Sequence, residues 1–336
     1  MSTAAAPPPP AAPAAPATAK PWLARLPAPL LGMPLGLMGL SGAWNLLRPH
    51  GVDSANAISN GLLSIGASLL VLLAVLWLAK WLRHPEALRA EWNHPVQGAL
   101  LCLLPVSTLL AITLTVPRVP EWQGGALALA LCALALQAVI AWDKVGRLTT
   151  GQMPVEMLTP VLYLPTVAGG FVGAMALQTL GYHGFAVLLL GMGTGAWALI
   201  EARILHRLYS GPLPPPLRPT LGIEMAPGAV GTLAMAVLWP ELSAEALLLA
   251  LGVASGPVLA VLTRWRWWTD VPFSTGFWSF SFPVAAMGGA TAEIVRRGGW
   301  PHEVAWIAVG IATLVIAFLA VRTLLLLLQG KLIPPG

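Results

Sequence analysis

Charged residues are scarce in this chain of 336 residues. Asp, Glu, Lys and Arg make up 9% of it, whereas hydrophobic residues make up 57%, and the mean hydropathy is +0.77. Soluble domains contain about 25% charged residues. A water-soluble protein of this size would need far more polar surface, so the composition excludes a soluble globular protein and indicates an integral membrane protein.

Cysteine and the residue patterns of enzymes are also scarce or missing. The two cysteines, Cys102 and Cys132, lie in apolar segments, which favours ordinary packing over a disulfide or redox site. The sequence contains no phosphate-binding glycine loop and no nucleophile–base pattern, and its six histidines lack the spacing of a metal site. We therefore expect neither an enzyme nor a bound cofactor or metal.

Ten apolar segments are long enough to cross a bilayer, which needs about 20 residues per helix. Fourteen of the eighteen lysines and arginines fall on the side of the two termini, and four fall on the other side. Cytoplasmic loops carry an excess of Lys and Arg, so both termini are expected in the cytoplasm. Since the positive charges lie between the apolar segments, the pI of about 9.7 does not indicate nucleic-acid binding. The segments are residues 31–47, 57–79, 96–116, 123–142, 160–181, 185–202, 219–238, 244–263, 274–295 and 304–328.

The N-terminal stretch has a different composition. Fifteen of its first twenty residues are Ala or Pro. Its six prolines exclude the continuous apolar core of a signal peptide, and the composition is typical of a disordered, partly polyproline tail. We predict an Ala/Pro-rich cytoplasmic tail over residues 1–27 and one transmembrane domain over residues 28–332.

Prolines recur in alternate segments. Pro34, Pro105, Pro165, Pro227 and Pro283 lie in the five odd-numbered segments, at intervals of 56 to 71 residues. One such proline could be a packing irregularity, but five favour a helical hairpin repeated five times. Each proline removes a helical hydrogen bond, and a polar lumen or a neighbouring helix must satisfy the freed carbonyl. We predict an all-α integral membrane protein in which ten transmembrane helices form five helical hairpins around a quasi-five-fold central pore.

Five motifs, in the same order along the chain, resemble the tellurite-resistance/dicarboxylate transporter family, which includes the slow-type anion channels of plant guard cells. The resemblance implies a homotrimer in the bacterial inner (plasma) membrane, with one pore per subunit for small inorganic or organic anions. The motifs are "LGMPLGLMGLSGAW" (31–44), "RAEWNHPVQGALLCLLPVSTLL" (89–110), "TPVLYLPTVAGGFVGAMALQTLGYH" (159–183), "LRPTLGIEMAPGAV" (217–230) and "FWSFSFPVAAM" (277–287).

The resemblance also implies that one phenylalanine of the ninth helix occludes the pore. The second Phe of the "FSF" run, Phe282, aligns with this gate, and Gly32 and Leu35 of the first helix are its implied neighbours. The gate is therefore expected where the ninth helix breaks at Pro283.

Helix geometry supports Phe282 independently. At three- and four-residue steps, one face of the ninth helix is small or hydroxylated apart from a single ring, and the opposite face carries Phe277 and Phe280. A face of small residues suits a lumen, whereas a bulky face suits packing against lipid or another helix. The predicted lumenal face consists of Thr275, Ser279, Phe282, Ala286 and Gly289.

Glu224 is an acidic residue close to Pro227 in the seventh segment. An ionisable group at membrane depth is a functional candidate by default. It could face the lumen and couple transport to protons, or lie near the cytoplasmic end within reach of Arg218 or water. Glu201 and Arg203, at the end of the sixth segment, are expected to pair.

Two functions fit these features. The favoured one is a gated, passive anion channel with an uncharged pore, because no Lys or Arg lies centrally in an odd-numbered segment. The alternative is a proton-coupled secondary transporter for C4-dicarboxylates or tellurite. A structural scaffold would leave the five alternate prolines unexplained.

Overall fold

The computed structural model of the protein describes residues 20–253 and 255–334, and these residues form helices without any strand among them. Residues 1–19 of the predicted tail lie outside the described residues, while Leu23 and Leu26 of the same stretch are buried in the core. The helices are α1 (Gly32–Asn45), α2 (Ala55–Arg83), α3 (Pro85–Asn93), α4 (Pro95–Leu100), α5 (Leu103–Thr115), α6 (Gln123–Thr149), α7 (Gly169–Thr179), α8 (His183–Tyr209), α9 (Ala226–Leu238), α10 (Ala244–Val253), α11 (Ser255–Thr263), α12 (Trp265–Thr269), α13 (Ser281–Gly298) and α14 (His302–Leu328).

Seven helical stretches in the described part of the chain are long and apolar enough to cross a membrane, or eight if the bent pair α10 and α11 forms one span. This count confirms a multi-pass helical membrane protein. It is smaller than the ten predicted crossings because α1 has only 14 residues and α13 carries Glu293, Arg296 and Arg297. Membrane crossing by these two helices stays a prediction.

The spans fall into two groups by burial. In α2, α6, α8 and α14, between 22% and 28% of the most apolar window is buried inside the protein. In the spans Pro95–Thr115, Pro160–Thr179 and Pro215–Leu238, between 67% and 89% is buried. The large apolar side chains that the first group leaves exposed suit contact with lipid, so long outer helices surround a buried inner group.

Five shorter helices make up the inner group. α1 contacts α5, α5 contacts α7, α7 contacts α9, α9 contacts α13, and α13 contacts α1. Each also packs against the next α-helix in the chain, which is α2, α6, α8, α10 and α14 in turn. The inner helices therefore surround a common centre.

Irregular backbone precedes every inner helix, and the five prolines lie at these junctions. Pro34, Pro105, Pro227 and Pro283 occupy the first turn of α1, α5, α9 and α13, and Pro165 lies in a π-helical turn before α7. The first turn of a helix has no internal partner for its N–H groups, so proline costs little there. The irregular segments are the 3₁₀ turns Ala28–Leu31, Pro160–Leu162, Pro215–Met225 and Thr275–Phe280, the π-turn Leu164–Ala168, and the turn at residues 101–102.

A buried amide satisfies the backbone at one of these junctions. Gln137 of α6 donates through Nε2 to the carbonyls of Leu164 at 2.8 Å and Pro165 at 2.7 Å. A Cβ on Gly169 would lie 2.5 Å from the same nitrogen, so the amide needs glycine at that position. The hydrogen bonds that irregular backbone loses within the apolar core are thus replaced from a neighbouring helix.

Two lysines are buried at the ends of outer helices. Lys80 donates through Nζ to Glu91 at 2.5 Å and to the Leu26 carbonyl at 3.1 Å. Lys144 donates to Asp143 at 2.8 Å and to the carbonyl of Trp92. These bonds fix the connection between α2 and α4 against the helix ends.

A histidine pair joins the α1–α2 connection to α13 and α14. Nε2 of His50 donates to the Ala292 carbonyl at 2.9 Å, so its Nδ1 accepts from Nδ1 of His302 at 2.6 Å. While His302 keeps its proton on Nδ1, a second proton on His50 would place two N–H groups against each other. Burial lowers the pKa of His50, and His302 and Arg296 lower it further.

Acidification is expected to weaken the fold through this pair. The unfolded chain takes up the His50 proton below pH of about 6.5 while the native state resists it, so stability falls as pH drops through this range, by at most about 1.4 kcal/mol per pH unit. His50→Gln should reduce the decrease of the thermal midpoint between pH 7.5 and 5.5 in detergent, whereas the exposed His206→Gln should not. An equal decrease in both variants would contradict this role.

Candidate functional site

A cavity lies at the centre of the five inner helices. It offers about 70 Å³ to water-sized molecules, which is room for a few waters, since one water needs about 10–15 Å³. Every inner helix contributes to its wall. The contributors include Leu35 of α1, Leu103 of α5, Phe171 of α7, Val230 of α9 and Phe282 of α13.

The wall of this central cavity is apolar, with three hydroxyl groups and no charged group among the described residues that line it. Thr220 donates to the Leu217 carbonyl at 2.6 Å, and Ser279 donates to the carbonyl of Pro219. Tyr163 donates to Oε2 of Glu201 at 2.5 Å. All three hydroxyl hydrogens are thus engaged within the protein, so an anion would need them to turn before they could donate to it.

The ring of Phe282 packs against α1. Phe282 is 7% exposed, and a Cβ on Gly39 would lie 2.7 Å from its Cδ2. One turn earlier, a Cβ on Gly36 would lie 2.1 Å from Oγ of Ser281. Small residues let helices approach closely in a membrane, so the glycines of α1 bring α13 and its ring to the cavity.

Gly39 was not among the residues that the sequence predicted beside the Phe282 ring. The predicted neighbours were Gly32 and Leu35, and the structure places both in the wall of the same cavity. A sequence pattern could have indicated this contact, because α1 carries glycine with helical spacing along one face, at positions 32, 36, 39 and 42.

The other predicted site residues divide between two locations. Gly32, Leu35, Ser279 and Phe282 line the central cavity, as do Pro227 and Pro283. Thr275 and Ala286 are buried outside its wall, and a Cβ on Gly289 would meet Leu46 and Leu233. Pro34, Pro105 and Pro165 lie outside the wall as well.

Phe277 and Phe280 belong to an aromatic cluster away from the central cavity. The Phe280 ring centroid lies 4.5 Å from that of Trp268, and the Phe277 centroid lies 5.5 Å from that of Phe273. This placement agrees with the packing role that helix geometry assigned to these two residues.

Glu224 lines a second cavity of about 310 Å³, which we call the side cavity. Glu201 of α8 and Arg264, which follows α11, line it too. Glu224 is therefore not beside Phe282, and Arg218 donates instead to the Trp267 carbonyl at 3.2 Å.

Glu201 does not form the expected pair with Arg203. Its Oε2 accepts from Tyr163 and, at 3.0 Å, from Nε1 of Trp197. Two residues apart on a helix, Glu201 and Arg203 point in different directions. No sequence pattern indicated the contact with Tyr163, which comes from a distant segment.

Comparison with known proteins gives a family match over most of the chain. The family model of SLAC1, described as voltage-dependent anion channel, matches residues 25–324. The tellurite resistance protein TehA homolog of Haemophilus influenzae is 30% identical over 314 residues, which cover 91% of this chain and 92% of that protein.

Plant proteins are similar over the same region. The S-type anion channel SLAH2 and the guard cell S-type anion channel SLAC1 of Arabidopsis thaliana are 23% and 24% identical over 92% and 91% of this chain. The match covers 59% and 56% of their own lengths. Because the family match spans most of the chain and the bacterial relative aligns over nearly its full length, this multi-pass helical membrane protein belongs to the SLAC1/TehA family of anion channels and transporters.

Proposed function

We propose that the protein is a gated anion channel in which the central cavity belongs to the pore and Phe282 is the gate. The observation that carries this proposal is an uncharged cavity to which all five inner helices contribute, with the ring of Phe282 in its wall. Helix α13 supplies the gate and α1 supplies the surface against which the ring rests.

The wider architecture follows the same proposal. Each inner helix and the longer helical segment after it form one of five hairpins, and all ten segments, α1 and α13 included, cross the membrane around the pore. The contacts among the inner helices support this arrangement. The 1–27 tail and both termini lie in the cytoplasm of a bacterium, and three copies assemble in the plasma membrane. Residues 28–332 form the conducting domain, and Leu23 and Leu26 at the end of the tail pack into its core.

Selectivity in such a pore depends on dehydration. With no charged group in the described wall, hydroxyls and backbone dipoles replace part of the water around the ion. Weakly hydrated anions lose this water at lower cost. We therefore expect nitrate to pass more readily than chloride.

A second candidate is a proton-coupled carrier of tellurite or C4-dicarboxylates. The name of the Haemophilus relative refers to tellurite resistance, and Glu224 is a buried carboxyl group inside a predicted span. This function needs an ion gradient to drive uptake, whereas the channel does not.

Flux through purified protein in liposomes distinguishes the two. The channel predicts nitrate and chloride currents that reverse at a potential set by the anion gradient, with or without a pH gradient. Protein-free liposomes are the control. Uptake that stops when the proton gradient is dissipated, with no current in its absence, would contradict the channel and favour the carrier.

A further inference from the structure

The side cavity contains two carboxyl groups for one arginine. Glu201 and Glu224 line it from α8 and from the 3₁₀ segment before α9, and Arg264 lies at its edge. With all three groups ionised, one negative charge remains, which a single proton would neutralise. Arg264 and Tyr209, which line the cavity, are exposed, and Arg264 follows the end of α11, where a charged side chain is expected to reach water, so the cavity is expected to open toward the aqueous side.

One oxygen of Glu224 has no hydrogen-bond partner. The residue is 4% exposed, and its buried Oε2 receives no donor. A buried carboxylate oxygen without a donor is costly in an apolar environment. A proton from the aqueous side supplies the missing interaction.

The other charged and titratable groups near this carboxyl group are Tyr163, Glu201, Tyr209 and Arg264. Arg218 shares its 3₁₀ segment but lies over the ring of Trp267, with Cζ 4.8 Å from the centroid. Arg207 of α8 donates to the Gly211 carbonyl at 2.8 Å. Arg264 is thus the only cation among the described residues that line the side cavity.

Tyr163 connects the side cavity to the central cavity. Its ring lies in the wall of the central cavity, and its hydroxyl donates to Glu201 at 2.5 Å. The protonation state of Glu201 therefore determines the direction of this hydroxyl hydrogen. While Glu201 is ionised, the hydrogen is directed at the carboxylate and away from any anion.

We propose that Glu201 and Glu224 form a proton-binding site beside the pore and that Tyr163 transmits its occupancy to the central cavity; this inference rests on the proposed channel function. Without the proton, a negative charge lies near the anion path and the Tyr163 hydroxyl is engaged. With it, the charge is neutralised, and a proton that Glu224 shares with Glu201 makes Glu201 a weaker acceptor, so the Tyr163 hydroxyl can turn and donate to an anion. Acidification therefore increases anion flux.

The size of the effect follows from Coulomb's law. A unit charge roughly 10 Å from a bound anion changes its binding on the order of tenfold at an effective dielectric of about 20. The wild-type protein should show a rise in nitrate flux of this order when both sides of the liposome are taken from pH 7.5 to 5.5. Equal pH on the two sides removes any proton driving force.

Three variants and one control test the site through the pH dependence of nitrate flux. Glu201→Gln and Glu224→Gln each leave one carboxyl group for one arginine, with no net negative charge for a proton to neutralise, so both should flatten the pH dependence. Tyr163→Phe should also flatten the pH dependence, because it removes the hydroxyl that links Glu201 to the central cavity. Glu156→Gln, at an exposed carboxyl group outside both cavities, should keep the wild-type profile.

A second measurement does not depend on transport. Infrared difference spectra of the purified protein across the same pH range should show the carbonyl band of a protonated carboxyl group that is lost in Glu224→Gln and kept in Tyr163→Phe. If the wild-type protein carries no anion flux, the channel function fails while this band still supports the proton site. A missing band, or pH profiles unchanged in both glutamine variants, would overturn the proposal.

Discussion

Replacing Phe282 with alanine is expected to raise anion flux through the reconstituted protein by at least about tenfold, which corresponds to a barrier lowered by about 1.4 kcal/mol. The ring occupies the wall of a cavity with room for only a few waters, and its removal widens the path for a partly hydrated ion. Nitrate and chloride currents of wild-type and variant protein in planar bilayers measure the effect.

Phe280→Ala is the matched control for this experiment. Both rings are 7% exposed, but Phe280 packs on Trp268 with centroids 4.5 Å apart, outside the central cavity. The control should leave the current close to the wild-type value. Equal currents in wild type and Phe282→Ala would show that this ring does not limit conduction, and equal increases in both variants would show only that loosening the core opens the protein.

Gly170→Ala is expected to cost about 3 kcal/mol of unfolding free energy, the upper part of the range for overpacked interiors. A Cβ on Gly170 of α7 would lie 2.7 Å from Cα of Gly193 and 2.9 Å from the Leu189 carbonyl oxygen, both in α8. These are backbone atoms, so no side chain can rotate away, and the two helices must separate. Thermal unfolding in detergent, followed by tryptophan fluorescence, measures the loss.

Gly191→Ala is the control for helix packing, because a Cβ there meets no atom within 4 Å. Alanine favours helix over glycine, so this variant should be as stable as wild type or slightly more stable. A Gly170→Ala protein with an unchanged midpoint would contradict the close crossing of α7 and α8.

The large features of the fold were predictable because they depend on composition and period. The scarcity of charge and the length of the apolar segments predicted a multi-pass helical membrane protein, which is confirmed. Prolines at intervals of 56 to 71 residues marked where irregular backbone precedes the inner helices. The segment ends were less accurate: the segment 185–202 corresponds to α8, which runs from His183 to Tyr209.

The contacts that build the two cavities could not be predicted from local patterns. Gln137 reaches carbonyls 27 and 28 residues away, and Tyr163 reaches Glu201 across 38 residues. Periodicity tells which face of a helix is apolar, but not which distant segment meets it. Glu224 shows the same limit, since the sequence left open whether it faces the lumen, and its place in the side cavity depends on tertiary packing.

The shortness of α1 has a consequence for biosynthesis. Its 14 residues extend about 21 Å at a rise of about 1.5 Å per residue, which is less than a hydrocarbon core of about 30 Å. A nascent α1 would therefore partition weakly into lipid before α2, with 29 residues, emerges from the ribosome and packs against it. α13 carries charged residues at its C-terminal end, so it would also partition weakly into lipid until α14 packs against it. Insertion of these two pairs is thus expected to proceed two helices at a time, with the later and longer helix supplying most of the affinity for lipid.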